Sequence, residues 1–160
     1  MGNNKIYTLV FVVEDGKVLL GMKKRGFGVG RWNGFGGKVE PQETIMEGAK
    51  RELEEESLVK AEQIEAVGVI LFEFVGEPVI MEVHVFRVDS YTSQPEETEE
   101  MRPQWFPLAE VPYDGMWPDD IFWLPSVLAE RKHINGYFLF EGMNTILKQD
   151  FTLTSPSASA

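Results

Sequence analysis

Apolar and polar residues change period several times along this chain, and each change predicts an element. Ile6–Val13 and Val18–Met22 are short runs rich in β-branched, aliphatic and aromatic residues. Asp15-Gly16 lies between them and predicts a hairpin, because glycine accepts the positive φ of a tight turn. From Glu43 to Ser57 the period lengthens. Ile45, Ala49 and Leu53 recur every four residues and line one face of a helix. Gly48 inside that helix costs roughly 1 kcal/mol relative to alanine, so close packing is expected there. Val67–Val75 and Val79–Val88 read as strands around a Gly76-Glu77-Pro78 turn. Ser90–Glu100 reads as a polar surface loop and Gln104–Pro107 as a short strand. Pro118-Asp119-Asp120 opens a second helix running to Lys132, with Pro125 inside it. Gly136–Glu141 alternates as a last strand. The pattern predicts an α+β domain over residues 1–150, with a mixed, mostly antiparallel β-sheet packed between two α-helices. Residues 151–160, rich in Ser and Ala, are expected to form a disordered tail.

Composition narrows the function. The chain has 160 residues, 43% of them hydrophobic, enough for one real core. Its formal net charge is -11, which opposes binding of long nucleic acid through a general basic surface. It contains no cysteine, which excludes disulfides, thiolate metal sites and cysteine nucleophiles. Its longest apolar stretches, such as Leu9–Val13, are far too short to cross a bilayer. With no signal or transit pattern at the N-terminus, a cytoplasmic protein is expected, with a nuclear or mitochondrial fraction allowed.

Charge is distributed unevenly. Lys17 to Val39 holds seven glycines, six Lys or Arg and no acid, whereas Glu40 to Glu65 holds nine glutamates. Glu52, Glu55 and Glu56 share one face of the predicted helix. Alone, such a cluster reads as a solvated acidic face. Its neighbours change that reading. Gly36-Gly37-Lys38 can offer bare backbone amides and a cation to phosphate. Carboxylates in this number suit Mg²⁺ or Mn²⁺. A phosphate cradle beside a metal-binding face points to metal-assisted attack on a polyphosphate. Arg51, four residues before Glu55, can pair with it. Asn33 can both donate and accept, which suits a purine edge. Trp117 offers a flat face for stacking, and Asp119 and Asp120 could cap a helix, bind substrate, or both. His84 and His133 have no nucleophile–base partner and read as structural.

The spacing Gly37-x5-Glu43-x7-Arg51-Glu52-Leu53-Glu54-Glu55-Glu56 resembles the signature of the Nudix hydrolase family. Its closing glycine is replaced by Leu58, for which altered helix termination is the expectation, with Leu58 or Val59 packing on apolar surface. The likeness extends through Lys23–Gly28, Gly30–Val39, Phe72–Pro78, Glu100–Pro103 and Met116–Asp120, which resemble the MutT-type subgroup acting on oxidised purine nucleoside triphosphates. That resemblance implies a Nudix fold with an α/β/α sandwich. It implies cleavage of 8-oxo-dGTP, 2-hydroxy-dATP and related modified purines, such as O6-methyl-dGTP, to the monophosphate and pyrophosphate. It further implies two or more Mg²⁺ ions held by the Gly36 carbonyl, Glu52, Glu55, Glu56 and Glu100. One of Glu52, Glu56 or Glu100 would accept the proton of the attacking water. Arg51 would orient the carboxylates, and Glu43 would tie the loop to the helix start. Carried over by position, the substrate would meet Thr8, Lys23, Phe27, Asn33, Phe35, Gly36, Gly37, Lys38, Phe72, Phe74, Met81, Met101, Trp117, Pro118, Asp119, Asp120 and Trp123. The partners implied are small nucleotides alone, bound by a monomer with no nucleic-acid polymer and no membrane.

Arg25-Gly26-Phe27-Gly28 also begins like an RNA-recognition-motif signature. Val29-Gly30-Arg31-Trp32 breaks that pattern, and the net charge opposes it. The nearer rival is another Nudix substrate, such as a dinucleoside polyphosphate or capped RNA.

Overall fold

The computed structural model describes residues 3–156. Eight strands form one sheet, in the order β3-β2-β1-β5-β4-β7-β8, with β6 paired to β2. The strands are β1 (Asn3–Glu14), β2 (Lys17–Lys23), β3 (Trp32–Asn33), β4 (Lys60–Phe74), β5 (Val79–Thr92), β6 (Met101–Pro107), β7 (His133–Glu141) and β8 (Thr145–Thr154). Two helices cover them, α1 (Ile45–Ser57) and α2 (Asp120–Glu130). The β1–β5 and β4–β7 pairs are parallel and the rest antiparallel.

Alternation along β1 divides the core. Phe11 and Val13 face one side, where Trp123, Leu124 and Val127 of α2 pack with Ile70, Val83 and Phe138. Val10 and Val12 face the other, where Ala49 and Leu53 of α1 pack with Leu19, Phe35, Val59 and Phe86. Each face of the sheet therefore buries one helix, giving the expected three-layer sandwich.

The β1–β2 hairpin opens soon after its turn. Its paired register covers only Val12↔Leu19, Val13↔Val18 and Glu14↔Lys17. Beyond that, the segment after β3 takes over the edge of β1. Val10 exchanges hydrogen bonds with Phe35 at 2.7 and 2.9 Å, and the Thr8 amide donates to the Gly37 carbonyl at 2.9 Å. The glycine-rich segment is thus laid against the sheet and delivered to the start of α1. That helix begins with a reciprocal cap: the Glu47 amide donates to Thr44 Oγ1 at 3.1 Å, and the Thr44 amide donates to Glu47 Oε1 at 2.8 Å.

Three expectations are corrected. Strand β8 pairs with β7 as far as Thr154, so Phe151–Thr154 belong to the folded domain. Gly136 makes this possible, since a side chain there would overlap Phe151, whose ring stacks on Phe138 at 5.7 Å. The rest of the expected tail, residues 157–160, lies outside the described residues. Strand β5 continues three residues into the segment read as loop, and β6 starts at Met101. Finally, α1 does not terminate differently at Leu58. Leu58 caps the helix in the left-handed region at φ 66°, and its amide donates to the Glu54 carbonyl at 2.8 Å. Val59 is fully buried, whereas Leu58 is 39% exposed. The apolar anchor is therefore Val59, and Leu58 accepts Cβ crowding to deliver it.

Leu58→Gly removes that crowding and loses little packing. The expected result is a gain of up to about 1 kcal/mol in urea unfolding, with turnover within about threefold of the parent. A destabilised variant would show instead that the exposed leucine contributes more through packing than its backbone costs.

Candidate active site

Two cavities meet at the glycine-rich segment. The first, of about 300 Å³, is lined by Lys23, Gly36, Gly37, Glu52, Glu55, Glu56 and Glu100. The second, of about 240 Å³, is lined by residues including Thr8, Lys23, Phe27, Asn33, Gly36, Gly37, Glu56, Phe72, Phe74, Met81, Met101, Trp117, Asp119 and Asp120. Lys23, Gly36, Gly37 and Glu56 belong to both.

The acidic cavity is built by α1 against the glycine segment. The Gly36 amide donates to Glu56 Oε1 at 3.1 Å. A Cβ on Gly37 would overlap the Glu52 carboxylate. Arg51 lies behind the cluster as a bracket. Its Nη2 and Nε donate to the two Glu43 oxygens at 2.7 and 3.0 Å, and its Nη1 donates to Glu55 Oε1 at 3.2 Å. It also donates to the Lys38 carbonyl at 3.2 Å and stands 3.4 Å from Glu52 Oε2. Glu43 in turn accepts from the Glu40 amide at 2.9 Å. One guanidinium thereby fixes loop and helix together, a task suited to its rigid fork of donors.

Glu100 arrives from the loop before β6. Arg25 Nε donates to its Oε1 at 2.7 Å, and Lys23 Nζ stands 3.6 Å from Glu100 Oε2 and 3.8 Å from Glu56 Oε2. Sequence reasoning missed the pin for this loop. Thr98 Oγ1 donates to the Glu56 carbonyl at 3.0 Å and accepts from the Glu100 and Met101 amides at 3.2 Å. A threonine in an acidic loop carries no readable sign of such a role.

Burial pushes the Glu56 carboxyl up to about 7, against the pull of the Gly36 amide and Lys23, and raises Glu52 in the same way. The Arg25 hydrogen bond holds Glu100 below the usual carboxylate range. Among the described residues no three acidic or imidazole side chains converge to cation-binding spacing, and these oxygens are instead engaged by Lys23, Arg25 and Arg51. The donor set still fits a hard divalent cation. It is all oxygen, and Glu52 and Glu56 are partly desolvated.

The second cavity is mostly apolar with an acidic end. Asp119 and Asp120 are almost fully buried. Trp123 Nε1 donates to Asp119 Oδ2 at 2.9 Å, while Asp120 Oδ2 has no partner. Burial pushes Asp119 up to about 6 and Asp120 well above the usual range, the latter reinforced by its neighbour's charge. Asn33 Oδ1 accepts from the Gly34 amide at 2.8 Å, which leaves its NH₂ as the group to offer a ligand. Trp117 packs with Phe27 at 5.0 Å, Phe140 at 5.9 Å and Phe74 at 6.3 Å.

Some expected contacts lie outside both linings. Phe35 is fully buried in the α1-side core. Trp123 is also fully buried and reaches the cavity only through Asp119. Lys38 is exposed, and its carbonyl serves Arg51. Pro118 sits beside the lining residues without joining them. Arg51 lies behind the carboxylates. Conversely, Tyr7, Leu9, Gly28, Gly34 and Val83 line the cavity without having been anticipated. Val83 does so because it pairs with Tyr7 in the parallel β1–β5 ladder. His84 pairs with Glu82 at 2.7 Å, in line with a structural role.

Residues 4–127 match the NUDIX domain. The chain belongs to the NUDIX family. It is a Nudix hydrolase, a class of enzyme that works with divalent metal. It is 52% identical to the oxidized purine nucleoside triphosphate hydrolase of Danio rerio, over 92% of this chain and 94% of that protein. It is 54% identical to the protein of the same name from Mus musculus, again over 92% and 94%. The crystal structure of a mutator MutT protein from Bacillus halodurans superposes with a TM-score of 0.82 at 24% identity, covering 92% of this chain and 97% of that one. That likeness establishes the Nudix fold. No helix among the described residues is long and apolar enough to cross a membrane.

The Asp119–Asp120 pair makes stability depend on pH. Unfolded aspartates lose their protons near pH 4, whereas the folded pair holds a proton to about 6 or beyond. Its contribution is therefore fully present below about pH 4 and is lost as pH rises through the raised folded value. In metal-free buffer, Asp120→Asn should gain stability relative to the parent as pH rises from 4 to 8, read by urea unfolding. Glu56 shifts both proteins alike and cancels in the difference. A gap that does not vary with pH would contradict this.

Proposed function

We propose that this Nudix hydrolase converts oxidised or otherwise modified purine nucleoside triphosphates to the monophosphate and pyrophosphate, clearing them before they enter DNA. The substrates are 8-oxo-dGTP and 2-hydroxy-dATP, with O6-methyl-dGTP as a related one. The observation that carries this reading is the sharing of Lys23, Gly36, Gly37 and Glu56 by the two cavities. A base in the aromatic cavity has its phosphates at the carboxylates. The two animal relatives bear the matching name. The enzyme acts as a monomer, in the cytoplasm and in a nuclear or mitochondrial fraction.

The base stacks on Trp117, takes a hydrogen bond from the Asn33 amide group, and meets Asp119 and Asp120 at its polar edge. Phe27, Phe72, Phe74, Met81 and Met101 exclude water around it. Thr8, Gly36 and Gly37 shape the passage toward the phosphates, and Lys23 stands where it can meet their charge. The Gly36 carbonyl, Glu52, Glu55, Glu56 and Glu100 would hold two or more Mg²⁺ ions, for which Mn²⁺ could substitute, and these would supply charge neutralisation and a more acidic water. A water oxygen bonds to phosphorus, and the bridge between the α- and β-phosphates breaks. Pyrophosphate departs, and one of Glu52, Glu56 or Glu100 takes the water's proton. Arg51 keeps the carboxylates in place throughout.

Buried adjacent acids also explain how one pocket could serve two bases. With one carboxyl protonated, the pair offers a donor and an acceptor side by side. Exchange of the proton reverses that pattern and lets the pair meet either an oxidised guanine or an oxidised adenine edge.

Pyrophosphate release tests the whole reading. With Mg²⁺, kcat/KM for 8-oxo-dGTP should exceed that for dGTP by at least about tenfold, and chelation should abolish it. Equal rates on both, or preference for a dinucleoside polyphosphate or capped RNA, would refute the substrate assignment. Glu56→Gln should lower hydrolysis by at least about 100-fold while 8-oxo-dGMP still binds. Asparagine at Asp119 or Asp120 should alter the rates on 8-oxo-dGTP and 2-hydroxy-dATP unequally. Equal losses would reduce the pair to a structural element.

A further inference from the structure

Trp117 follows the turn Tyr113–Gly115 and precedes α2, outside any helix or strand. Its carbonyl accepts from the Asp120 amide at 3.1 Å, which fixes the backbone but leaves the ring's orientation to its neighbours. Arg31 is one of those neighbours, and nothing described above uses it. Its guanidinium carbon lies 4.4 Å from the centroid of the Trp117 ring. The same guanidinium donates through Nη1 to the Met143 carbonyl at 2.8 Å and through Nη2 to Asn144 Oδ1. Its backbone is tied as well, with its amide donating to Gly28 at 3.1 Å and its carbonyl accepting from Lys23 at 3.0 Å.

We propose that Arg31 is the positioning residue for Trp117, clamping the indole between the glycine-rich loop and the β7–β8 turn so that it is preset as the stacking platform for the purine. The proposal rests on the reading of Trp117 as that platform. Arginine suits the task because its planar group can lie on a ring while its edge donors engage a turn. Lysine could keep a charge near the ring but could not reproduce the fork. The clamp joins three segments distant in sequence, and one of them, the β7–β8 turn, carries no other part of the site. Its charge also favours the ionised forms of Asp119 and Asp120, so it reaches the acidic end of the same cavity. A platform held in place before binding loses less freedom when the base arrives, so the clamp should act on affinity at the base end.

The test separates the base end from the phosphate end. Affinity for 8-oxo-dGMP reports the first, and inhibition by inorganic pyrophosphate reports the second. Arg31→Met should raise the Kd for 8-oxo-dGMP about tenfold, the reach of a covered cation–π contact, and keep pyrophosphate inhibition within about twofold. KM for 8-oxo-dGTP should rise by more than kcat falls. Asn144→Ala should raise the same Kd about threefold, and combining it with Arg31→Met should add nothing, since both remove one clamp. Arg31→Lys should fall between the parent and Arg31→Met.

An unchanged Kd in Arg31→Met overturns the proposal. So does an equal loss at both ends with a lowered melting temperature, which would make Arg31 a general fold contact. Trp117→Ala distinguishes the levels. If it weakens 8-oxo-dGMP binding while Arg31→Met does not, only the clamp is wrong. If Trp117→Ala itself binds like the parent, the platform and the clamp fall together.

Discussion

The closeness of two glycines to their neighbours sets the geometry of the site. At Gly36 the chain passes so near β1 that a Cβ would overlap the Thr8 carbonyl, and at Gly37 a Cβ would overlap the Glu52 carboxylate. Any side chain would push the segment away from the sheet and from α1 together. Because it stays close, its amide reaches Glu56, and the two cavities share one wall. The early divergence of β2 from β1 is the price of admitting this segment, and its bonds to Val10 and Thr8 satisfy the strand edge so exposed.

Charge in this protein is arranged by depth. The excess of acid is large, yet the basic residues of the glycine-rich loop, with Arg51 of α1, meet a set of carboxylates that runs from buried Glu56 to exposed Glu55. Lys23 faces Glu56 and Glu100, Arg25 holds Glu100, and Arg51 binds Glu43 and Glu55. Exposed pairs of this kind add little stability. Their effect is geometric. They hold like charges near one another. Asp119 and Asp120 lack such cations at hydrogen-bonding distance and respond by keeping a proton.

Much of this was readable from residue pattern. Four-residue spacing placed α1 and its carboxylates on one face, and Asp15-Gly16 marked the hairpin. Gly48 proved tight against Val39 and Glu43, as a helical glycine suggests. The glycine loop and the acids of the second helix fell where the motif put them. What stayed hidden depends on contacts between distant segments. Strand β8 looks like a polar, weakly alternating stretch and becomes a strand because β7 offers it an edge. Val83 reaches the cavity through a parallel register that no local pattern encodes. Leu58 misled because propensity disfavours leucine at positive φ, yet burial of Val59 outweighs that cost. Thr98 and Arg31 act through hydrogen bonds that span 42 and more than 100 residues.

The central claim is that one ligand spans both cavities, with its base on the aromatic side and its phosphates at the carboxylates. A crystal structure with Mn²⁺ and the non-hydrolysable α,β-imido analogue of 8-oxo-dGTP tests it directly. The predicted result is a purine between Asn33, Trp117 and the Asp119–Asp120 pair, with anomalous manganese peaks bounded by Gly36, Glu52, Glu56 and Glu100. A base lying outside that cavity, or manganese on the phosphates with none of these carboxylates in contact, would contradict it.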